Sequence, residues 1–173
     1  MSDIPVIETE RLRMTAFTER HFDAYAAMLA DPDSTRFIND GQPLDRMNAW
    51  RSMAMLLGHW ALRGFGMWAL ERRSDGAFVG RVGLMRPEGW PDIELGWMLD
   101  PAHRHHGYAT EAGTAALAFA WRELKAQRVI SLVREGNESS KGVVQRLHGD
   151  LVEDIHFLGL PVHVFGYYPP RNG

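Results

Sequence analysis

The sequence predicts a single mixed α+β domain over residues 1–173, and three observations lead to that fold class. The chain has 173 residues, of which 45% are hydrophobic, enough for one sizeable core with little left for a second. Stretches with the helical spacing of apolar residues are interspersed with stretches that have the two-residue period of strands. The strand-like stretches in the middle of the chain are joined by short turns, which indicates antiparallel pairing.

The first part of the chain predicts one strand and two helices. Alternating polar and apolar residues indicate a strand at 11–15, and helical spacing indicates a helix from Thr18 to Asp31. That helix ends because Pro32 disfavours the α conformation of the residue before it. A second helix is predicted at 45–64, with an apolar face formed by Met47, Trp50, Ala54, Leu57 and Ala61.

The rest of the chain predicts a meander, a third helix and a closing strand pair. The meander consists of strands at 67–71, 78–84 and 93–99. The third helix, at 107–124, has a stripe of alanines that suits close packing against a sheet. These are followed by a strand at 129–133, a short helix at 139–147 and a closing strand pair at 150–152 and 162–167.

Charge and cysteine content narrow the partners and the location. With 19 basic and 22 acidic residues the net charge is −3, so no overall positive field attracts nucleic acid or an anionic membrane, and neither partner is expected. The absence of cysteine excludes disulfides and thiolate metal sites and agrees with a reducing compartment. The N-terminal residues lack the pattern of a secretory signal, so a cytoplasmic protein is expected.

One short segment, DPAHRHHGYATEA at 100–112, concentrates chemically active residues and has two interpretations. The first is a metal site formed by its histidines. These lie on an irregular segment without an accompanying H-E-x-x-H pattern, so no metal is predicted at His103, His105 and His106.

The second interpretation of this segment is an anion cradle. A strand ends at Leu99 and a helix begins near Gly107, and the first amides of a helix carry partial positive charge without an intrahelical partner. Gly107 allows close approach of a phosphate, Ala109 keeps the next turn small, and Arg104 adds a fixed charge. The sequence therefore favours a cradle for an anion.

The same residues carry a resemblance to a known family. Its R/Q-x-x-G-x-G/A pyrophosphate loop is matched by Arg104, His105, His106, Gly107, Tyr108 and Ala109. The surrounding ELGWMLDPAHRHHGYATEA, and the segments ETERLRM, FVGRVGL and NESS, follow the family order over nearly the whole chain. The sequence thus resembles the GCN5-related N-acetyltransferase (GNAT) family, in particular its RimJ/RimL-like branch.

The resemblance implies a fold and a cosubstrate. The fold would be a mostly antiparallel central sheet with a splayed strand pair, flanked by about four helices. Acetyl-CoA would lie where strands 93–99 and 129–133 splay apart, with its pyrophosphate on the amides of 105–109. Its pantetheine arm would pair with the backbone of Trp97, Met98 and Leu99, and Asn137 matches a family asparagine that bonds the pantetheine region.

The resemblance also implies a reaction, transfer of an acetyl group from acetyl-CoA to a primary amine by direct attack in a ternary complex. Glu94 is the candidate base, because strand alternation places it on the Gly96 side of its strand. Ser140 aligns with a serine near the cofactor thiol and would protonate the leaving thiolate. The alternative is that Ser139 or Ser140 only caps the short helix. A tyrosine of the closing hairpin, Tyr167 or Tyr168, is another possible proton donor.

Two departures from the family pattern bear on the site. His105 and His106 stand where the family usually has a glycine and a basic residue, which restricts the backbone at 105. The segment Leu147-His148-Gly149 displaces a family glycine, so the register of the next strand is left open.

The sequence leaves the acceptor undefined. The family geometry implies an acceptor groove between 37–41 and 156–161, and these segments mix apolar and polar residues without a dense charge cluster. A small-molecule amine or a peptide N-terminus both fit, and the chain is expected to be a monomer or a homodimer. A different class of function, a non-catalytic acyl-CoA sensor or interaction module with the same fold, is the alternative to an enzyme.

Overall fold

Residues 3–170 are described by a computed structural model, in which they form eight strands and five α-helices. The strands are β1 Ile7–Glu8, β2 Leu12–Thr15, β3 Met67–Arg72, β4 Phe78–Met85, β5 Glu94–Leu99, β6 Val129–Arg134, β7 Asp150–Phe157 and β8 Leu160–Tyr167. The helices are α1 Phe22–Ala30, α2 Pro32–Thr35, α3 Arg46–Arg63, α4 Tyr108–Arg122 and α5 Glu138–Arg146. No helix within the described residues is long and apolar enough to cross a membrane.

All eight strands belong to one sheet, in the order β1-β2-β3-β4-β5-β6-β8-β7. Every neighbouring pair is antiparallel except β5 and β6, which are parallel. Antiparallel neighbours need only short turns, whereas the parallel pair requires the crossover through α4. The mixed α+β fold with a mostly antiparallel sheet is confirmed.

The parallel pair is joined only at its beginning. Glu94 lies opposite Ile130, and the Ile130 amide donates to the Ile93 carbonyl at 2.8 Å. The Ser131 hydroxyl then donates to the Leu95 carbonyl at 2.7 Å, so a side chain takes the place of the next backbone bond. Beyond this point, no further register pair joins β5 to β6 in residues 3–170. The two strands diverge and open a groove in the sheet, as the predicted splayed pair requires.

Helices cover both faces of the sheet. On one face, α4 buries the predicted alanine stripe, and the aromatic rings of Trp68 and Phe119 meet edge to face at 5.2 Å. On the other face, α1 and α3 pack against strand residues such as Met67 and Met98. Because successive side chains of a strand point to opposite faces, the central strands β3, β4 and β5 contribute buried side chains to both cores.

The predicted apolar face of α3 is wrong. Met47 and Trp50 are 59% and 48% exposed, whereas the buried residues of the helix include Leu56, His59 and Trp60. Hydrogen bonds to backbone fix this rotation: His59 Nδ1 lies 2.7 Å from the Phe65 carbonyl, and Trp60 Nε1 donates to the Met67 carbonyl. Apolar residues occur on several sides of this helix, so hydrophobic spacing alone does not determine its orientation.

The His59 ring is held as a neutral group. Its Nε2 accepts a hydrogen bond from the Arg86 amide at 2.9 Å, which leaves the proton on Nδ1 for the Phe65 carbonyl. Burial lowers the pKa of His59 below its ordinary value. This histidine is a structural residue that connects α3 to the ends of β3 and β4.

Several element boundaries also differ from the prediction. The structure has five helices rather than about four, because the four-residue α2 forms with Asp31 as its N-cap. Strand β7 continues to Phe157 instead of ending at Val152, and its register shifts between Leu151 and Glu153, where the predicted register was left open. Nearly all of β7 is exposed, so its sequence lacks the alternation that would have revealed its length.

Candidate active site

The opening between β5 and β6 leads into two adjoining cavities. The larger cavity, of about 460 Å³, reaches between the sheet, α3 and the β7–β8 hairpin. The smaller cavity, of about 370 Å³, lies beside the N-terminus of α4. Both are lined by Phe37, Ile38, Trp97, Asn137 and Ser140. Because these five residues belong to both walls, the two cavities form one groove across the splayed strands.

The smaller cavity meets the loop that the sequence singled out. Gly107 is the N-cap of α4 with φ of 79°, and no side chain caps the helix in the described structure. His105 also has a positive φ, 63°, at the position where the family usually has glycine. His105, Gly107, Tyr108 and Ala109 line the cavity, so the uncapped first turn borders it. This geometry fits an anion held by backbone amides.

Arginines make this cavity locally positive although the chain is acidic. Arg36, Arg104 and Arg146 line it, together with a single carboxylate residue, Asp33. Arg104 donates to the Ser34 hydroxyl at 2.7 Å, which fixes its guanidinium at the wall. Arg104 was predicted, whereas Arg36 and Arg146 were not, because they come from segments far from the loop in sequence.

A clamp that the sequence reasoning missed holds the loop against the first strands. Arg11 donates to the His106 carbonyl at 2.8 Å and to Glu111 Oε2 at 2.7 Å, and its guanidinium lies 4.8 Å from the centre of the Tyr108 ring. Glu111 in turn accepts from the Thr9 hydroxyl at 2.6 Å. The ETERLRM segment contains Thr9 and Arg11, but only the fold brings them to the start of α4. The His106 ring packs near Tyr108, 5.6 Å between centres, outside the cavity lining.

Backbone groups of β5 are available along the opening. The Leu95 carbonyl points toward β6, and strand alternation gives Trp97 and Leu99 the same direction. Met98 lies between them, and its backbone faces its partner on β4 instead. An extended ligand in the opening would therefore meet the backbone of Trp97 and the amide of Leu99, whose carbonyl already accepts from Arg104 Nε at 3.3 Å. Met98 borders the cavity without directing its own backbone into it.

Asn137 and Ser140 lie where the two cavities meet. The Asn137 side chain accepts from the Ser140 amide at 3.2 Å and is the N-cap of α5. The alternative that Ser139 or Ser140 caps this helix is therefore wrong. Within residues 3–170 no hydrogen bond involves the Ser140 hydroxyl, and Ser140 lines both cavities. Its position at the junction is compatible with a role in the chemistry.

Glu94 lines the larger cavity at the closed end of the splay. The Trp90 indole donates to Glu94 Oε2 at 2.6 Å. Burial raises the pKa of Glu94 to about 6, although this hydrogen bond and the charge of Arg81 act in the opposite direction. A carboxyl group with a pKa near neutrality, in a cavity, has the properties of a general base.

Tyr167, one of the alternative proton donors, lies behind the strands. Its hydroxyl is 3.1 Å from the Ser131 hydroxyl, and burial raises the pKa of Tyr167 to about 12. Its side chain is 3% exposed and belongs to the core on the α4 side of the sheet. Ser140 is thus the candidate donor that borders the groove.

The remaining walls of the larger cavity come from the two segments expected to bound an acceptor groove. Phe37, Ile38 and Asn39 line one side, and the β7–β8 hairpin contributes Phe157 and Leu160. Both segments therefore contribute apolar side chains to the wall of the larger cavity.

The three histidines of the loop do not converge on a metal. Within residues 3–170 no three His, Cys, Asp or Glu side chains are grouped so that they could hold a metal ion. His103 belongs to a short 3₁₀ turn at Pro101–His103, and it does not line either cavity.

Comparisons with known proteins agree with this geometry. The sequence model of the family described as Acetyltransferase (GNAT) domain matches residues 11–149, well over half of the chain. YoaA of Bacillus subtilis, named an uncharacterized N-acetyltransferase, is 23% identical over 180 residues, covering 97% of this chain and 99% of the relative.

Solved structures share the whole fold. An acetyltransferase from Agrobacterium tumefaciens superposes with a TM-score of 0.86 at 29% identity, covering 98% of this chain and 97% of that one. RimL, a ribosomal alpha-N-protein acetyltransferase in complex with coenzyme A, has a TM-score of 0.79 at 16% identity, covering 95% and 98%. The second likeness shows the fold alone. With its family model, its sheet and its loop in agreement, the chain belongs to the acetyltransferase (GNAT) domain family.

Proposed function

We propose that this protein is an acetyl-CoA-dependent N-acetyltransferase of the RimJ/RimL-like branch that acetylates a primary amine in a ternary complex. The observation that carries the proposal is the single groove, with a positive cradle at one end and a glutamate of raised pKa at the other. The ELGWMLDPAHRHHGYATEA segment supports the branch. Cytoplasmic location, a monomeric or homodimeric state, and the lack of metal, nucleic-acid and membrane partners stay predictions.

The cofactor side of the groove fits the parts of acetyl-CoA. The amides at the start of α4 suit the pyrophosphate, together with the arginines that line the smaller cavity, Arg36, Arg104 and Arg146. The backbone of Trp97 and Leu99 suits the amide-rich pantetheine arm, next to Asn137. When bound, acetyl-CoA supplies the acetyl thioester that the amine attacks.

The acceptor side contains the base. Glu94 takes a proton from the incoming ammonium group, directly or through water, so that a free amine is present for the reaction. With a pKa of about 6, its carboxylate is ionised at neutral pH yet remains basic enough to accept a proton. The Trp90 indole holds one oxygen of this carboxylate and fixes its orientation.

A candidate proton donor for the leaving thiolate of coenzyme A lies at the junction of the two cavities. Ser140 lies between the two cavities on the first turn of α5, and the Asn137 cap fixes the position of that turn. As the bond between the acetyl carbon and sulfur breaks, its hydroxyl would pass a proton to the departing thiolate, and water in the groove would return a proton to the serine. An acyl-CoA sensor needs the cradle alone. Glu94 in the larger cavity and Ser140 at the junction of the two cavities therefore favour an enzyme.

Turnover is the first prediction. Purified protein with acetyl-CoA should release free thiol when a suitable primary amine is added, and mass spectrometry should find that amine acetylated. A panel of amino acids, amino sugars, polyamines and short peptides with free N-termini supplies the acceptors. If calorimetry shows coenzyme A binding while no amine in the panel causes thiol release, the sensor alternative replaces the enzyme.

The pH profile tests Glu94. Because the carboxylate accepts a proton only when ionised, kcat/KM should fall as the pH drops below about 6. Glu94→Gln should lower kcat by about 100-fold and remove this acid limb. Trp90→Phe keeps an aromatic ring but removes a hydrogen bond to the carboxylate, so the pKa should rise and the limb should move to higher pH. A limb that stays at the same pH in both variants would eliminate Glu94 as the base.

Glycine at the start of α4 gives a binding prediction. Gly107→Val should weaken coenzyme A binding by about tenfold or more in calorimetry, because a β-branched residue disfavours the positive φ that shapes the cradle. His103→Ala, outside the cradle, should leave the dissociation constant within about twofold.

A matched control separates the cradle from general strain. Gly64→Val introduces the same residue at a similar φ of 77°, at the C-terminus of α3, and should change stability without changing coenzyme A affinity. Equal losses of affinity in the two valine variants would contradict the cradle.

The Ser140 role is separable from helix capping. Ser140→Ala should lower kcat by about 100-fold and leave both coenzyme A affinity and unfolding free energy nearly unchanged. Asn137→Ala, which removes the observed cap, should cost about 1 kcal/mol of stability. Ser139→Ala is the neighbouring control and should retain turnover. Normal turnover in Ser140→Ala would assign thiolate protonation to another group.

A further inference from the structure

We propose that the acceptor is a small primary amine that carries a carboxylate, and that Arg81 binds this carboxylate in the larger cavity. This inference rests on the proposed N-acetyltransferase function and specifies its substrate class.

Arg81 is a cation without a partner in the described structure. It lies in the middle of β4, is half-buried and lines the larger cavity. Its Nε is buried and has no hydrogen-bond partner, and no ion pair among residues 3–170 includes it. Burying a charged donor without a hydrogen-bond partner is unfavourable. An anion bound to Arg81 would therefore gain more binding free energy than a neutral group would.

The sheet places Arg81 and Glu94 on the same face. On the β4–β5 pair, Arg81 is opposite Met98 and Glu94 is opposite Met85. The two pairs are four residues apart along each strand, so their side chains point to the same face. Gly96 lies between Glu94 and Met98 on β5, so no β5 side chain stands between the two charged residues on this face. The four residue steps from Glu94 to Met98 span roughly 13 Å of strand. Both charged side chains line the one cavity, and the Met67 side chain, whose methyl group lies over Gly96, forms the cavity wall between them.

The two charges have the order that a zwitterion requires. Glu94 accepts a proton from an ammonium group, and the guanidinium of Arg81 can hold a carboxylate with two parallel hydrogen bonds. The charge of Arg81 already lowers the pKa of Glu94, although the two groups form no ion pair. A ligand with both an amine and a carboxylate satisfies each group without bringing them into contact.

The remaining lining selects the rest of the acceptor. The walls include apolar side chains from the α2–α3 loop, helix α3, strands β3 and β4, and the β7–β8 hairpin, namely Ile38, Leu56, Met67, Met85, Phe157 and Leu160. Arg134 also lines the cavity, but it donates to the Asn39 carbonyl at 3.2 Å and so has a partner. The geometry therefore favours an amino acid, or a close analogue, with an apolar side chain.

A peptide N-terminus differs from such a ligand at one group. Its first residue presents an amide in place of the carboxylate, which would leave Arg81 unpaired. The amide of an amino acid reproduces this difference with the same side chain and the same amine.

Thiol release therefore tests the inference with leucine, methionine and phenylalanine, each compared with its own amide. The wild-type protein should prefer the free acid by about tenfold or more in kcat/KM. The amide contains more free amine at a given pH, so amine protonation works against this result. Arg81→Gln should lower kcat/KM for the acids by about tenfold or more and leave the amides within about twofold.

Controls separate this inference from folding and from the proposed function. Arg86→Gln removes the same charge from an exposed position just beyond β4 and should keep the preference. Unchanged coenzyme A affinity in Arg81→Gln shows an intact fold, and Arg81→Lys, which retains charge but not the two-bond geometry, should recover part of the preference. Acetylation of amides or peptides at least as fast as the acids overturns the inference and leaves the enzyme standing. Absence of thiol release with every amine overturns both.

Discussion

The single pairing between β5 and β6 is the constraint on which the groove depends. Each of these strands is bound along its other edge, β5 to β4 and β6 to β8, over six residue pairs. β5 and β6 pair with each other only at Glu94 and Ile130, where the Ser131 hydroxyl also donates to the Leu95 carbonyl. Past these contacts the twisted strands follow their own neighbours and separate. Unpaired backbone groups at the opening of a sheet are unfavourable unless a ligand or water forms hydrogen bonds with them. The separation of β5 from β6 therefore leaves a strand edge that suits the amide-rich pantetheine arm of coenzyme A.

Charge is separated along the groove. The smaller cavity gathers three arginines around an uncapped helix, whereas the larger cavity places Glu94 and Arg81 among mostly apolar walls, with Arg134 bonded to the Asn39 carbonyl. A net charge of −3 conceals this arrangement, because it sums residues from both ends and from the solvent-facing surface. Strong local charge at one end suits a multiply charged ligand. One positive and one negative group in apolar surroundings suit a small zwitterion, because burying a charged group without a partner away from water costs free energy.

How much could be predicted from the sequence depended on whether the signal was local. The alanine stripe of α4 is a local feature and lies where the spacing predicted, and the helix starts next to Gly107, as the loop sequence indicated. The rotation of α3 was not predictable, because His59 and Trp60 take their partners from other strands. The roles of the clamp arginine Arg11 and of Arg81 are equally invisible in sequence: the first bonds Glu111, 100 residues away, and the second acquires meaning only from the cavity around it. A site formed by residues from distant segments can be recognised only once the fold is known.

The outermost strand bears on how the sheet ends. β7 lies at one end of the strand order and carries the exposed acidic residues Asp150, Glu153 and Asp154, close to the register shift that follows Leu151. Extended edges are templates for adding strands from other chains, and natural sheets discourage this with charge and with bulges. A second copy aligned along β7 would bring like charges together across the new ladder. The exposed Leu151 and Val152, on the edge strand of the sheet, are thus flanked by residues that oppose aggregation.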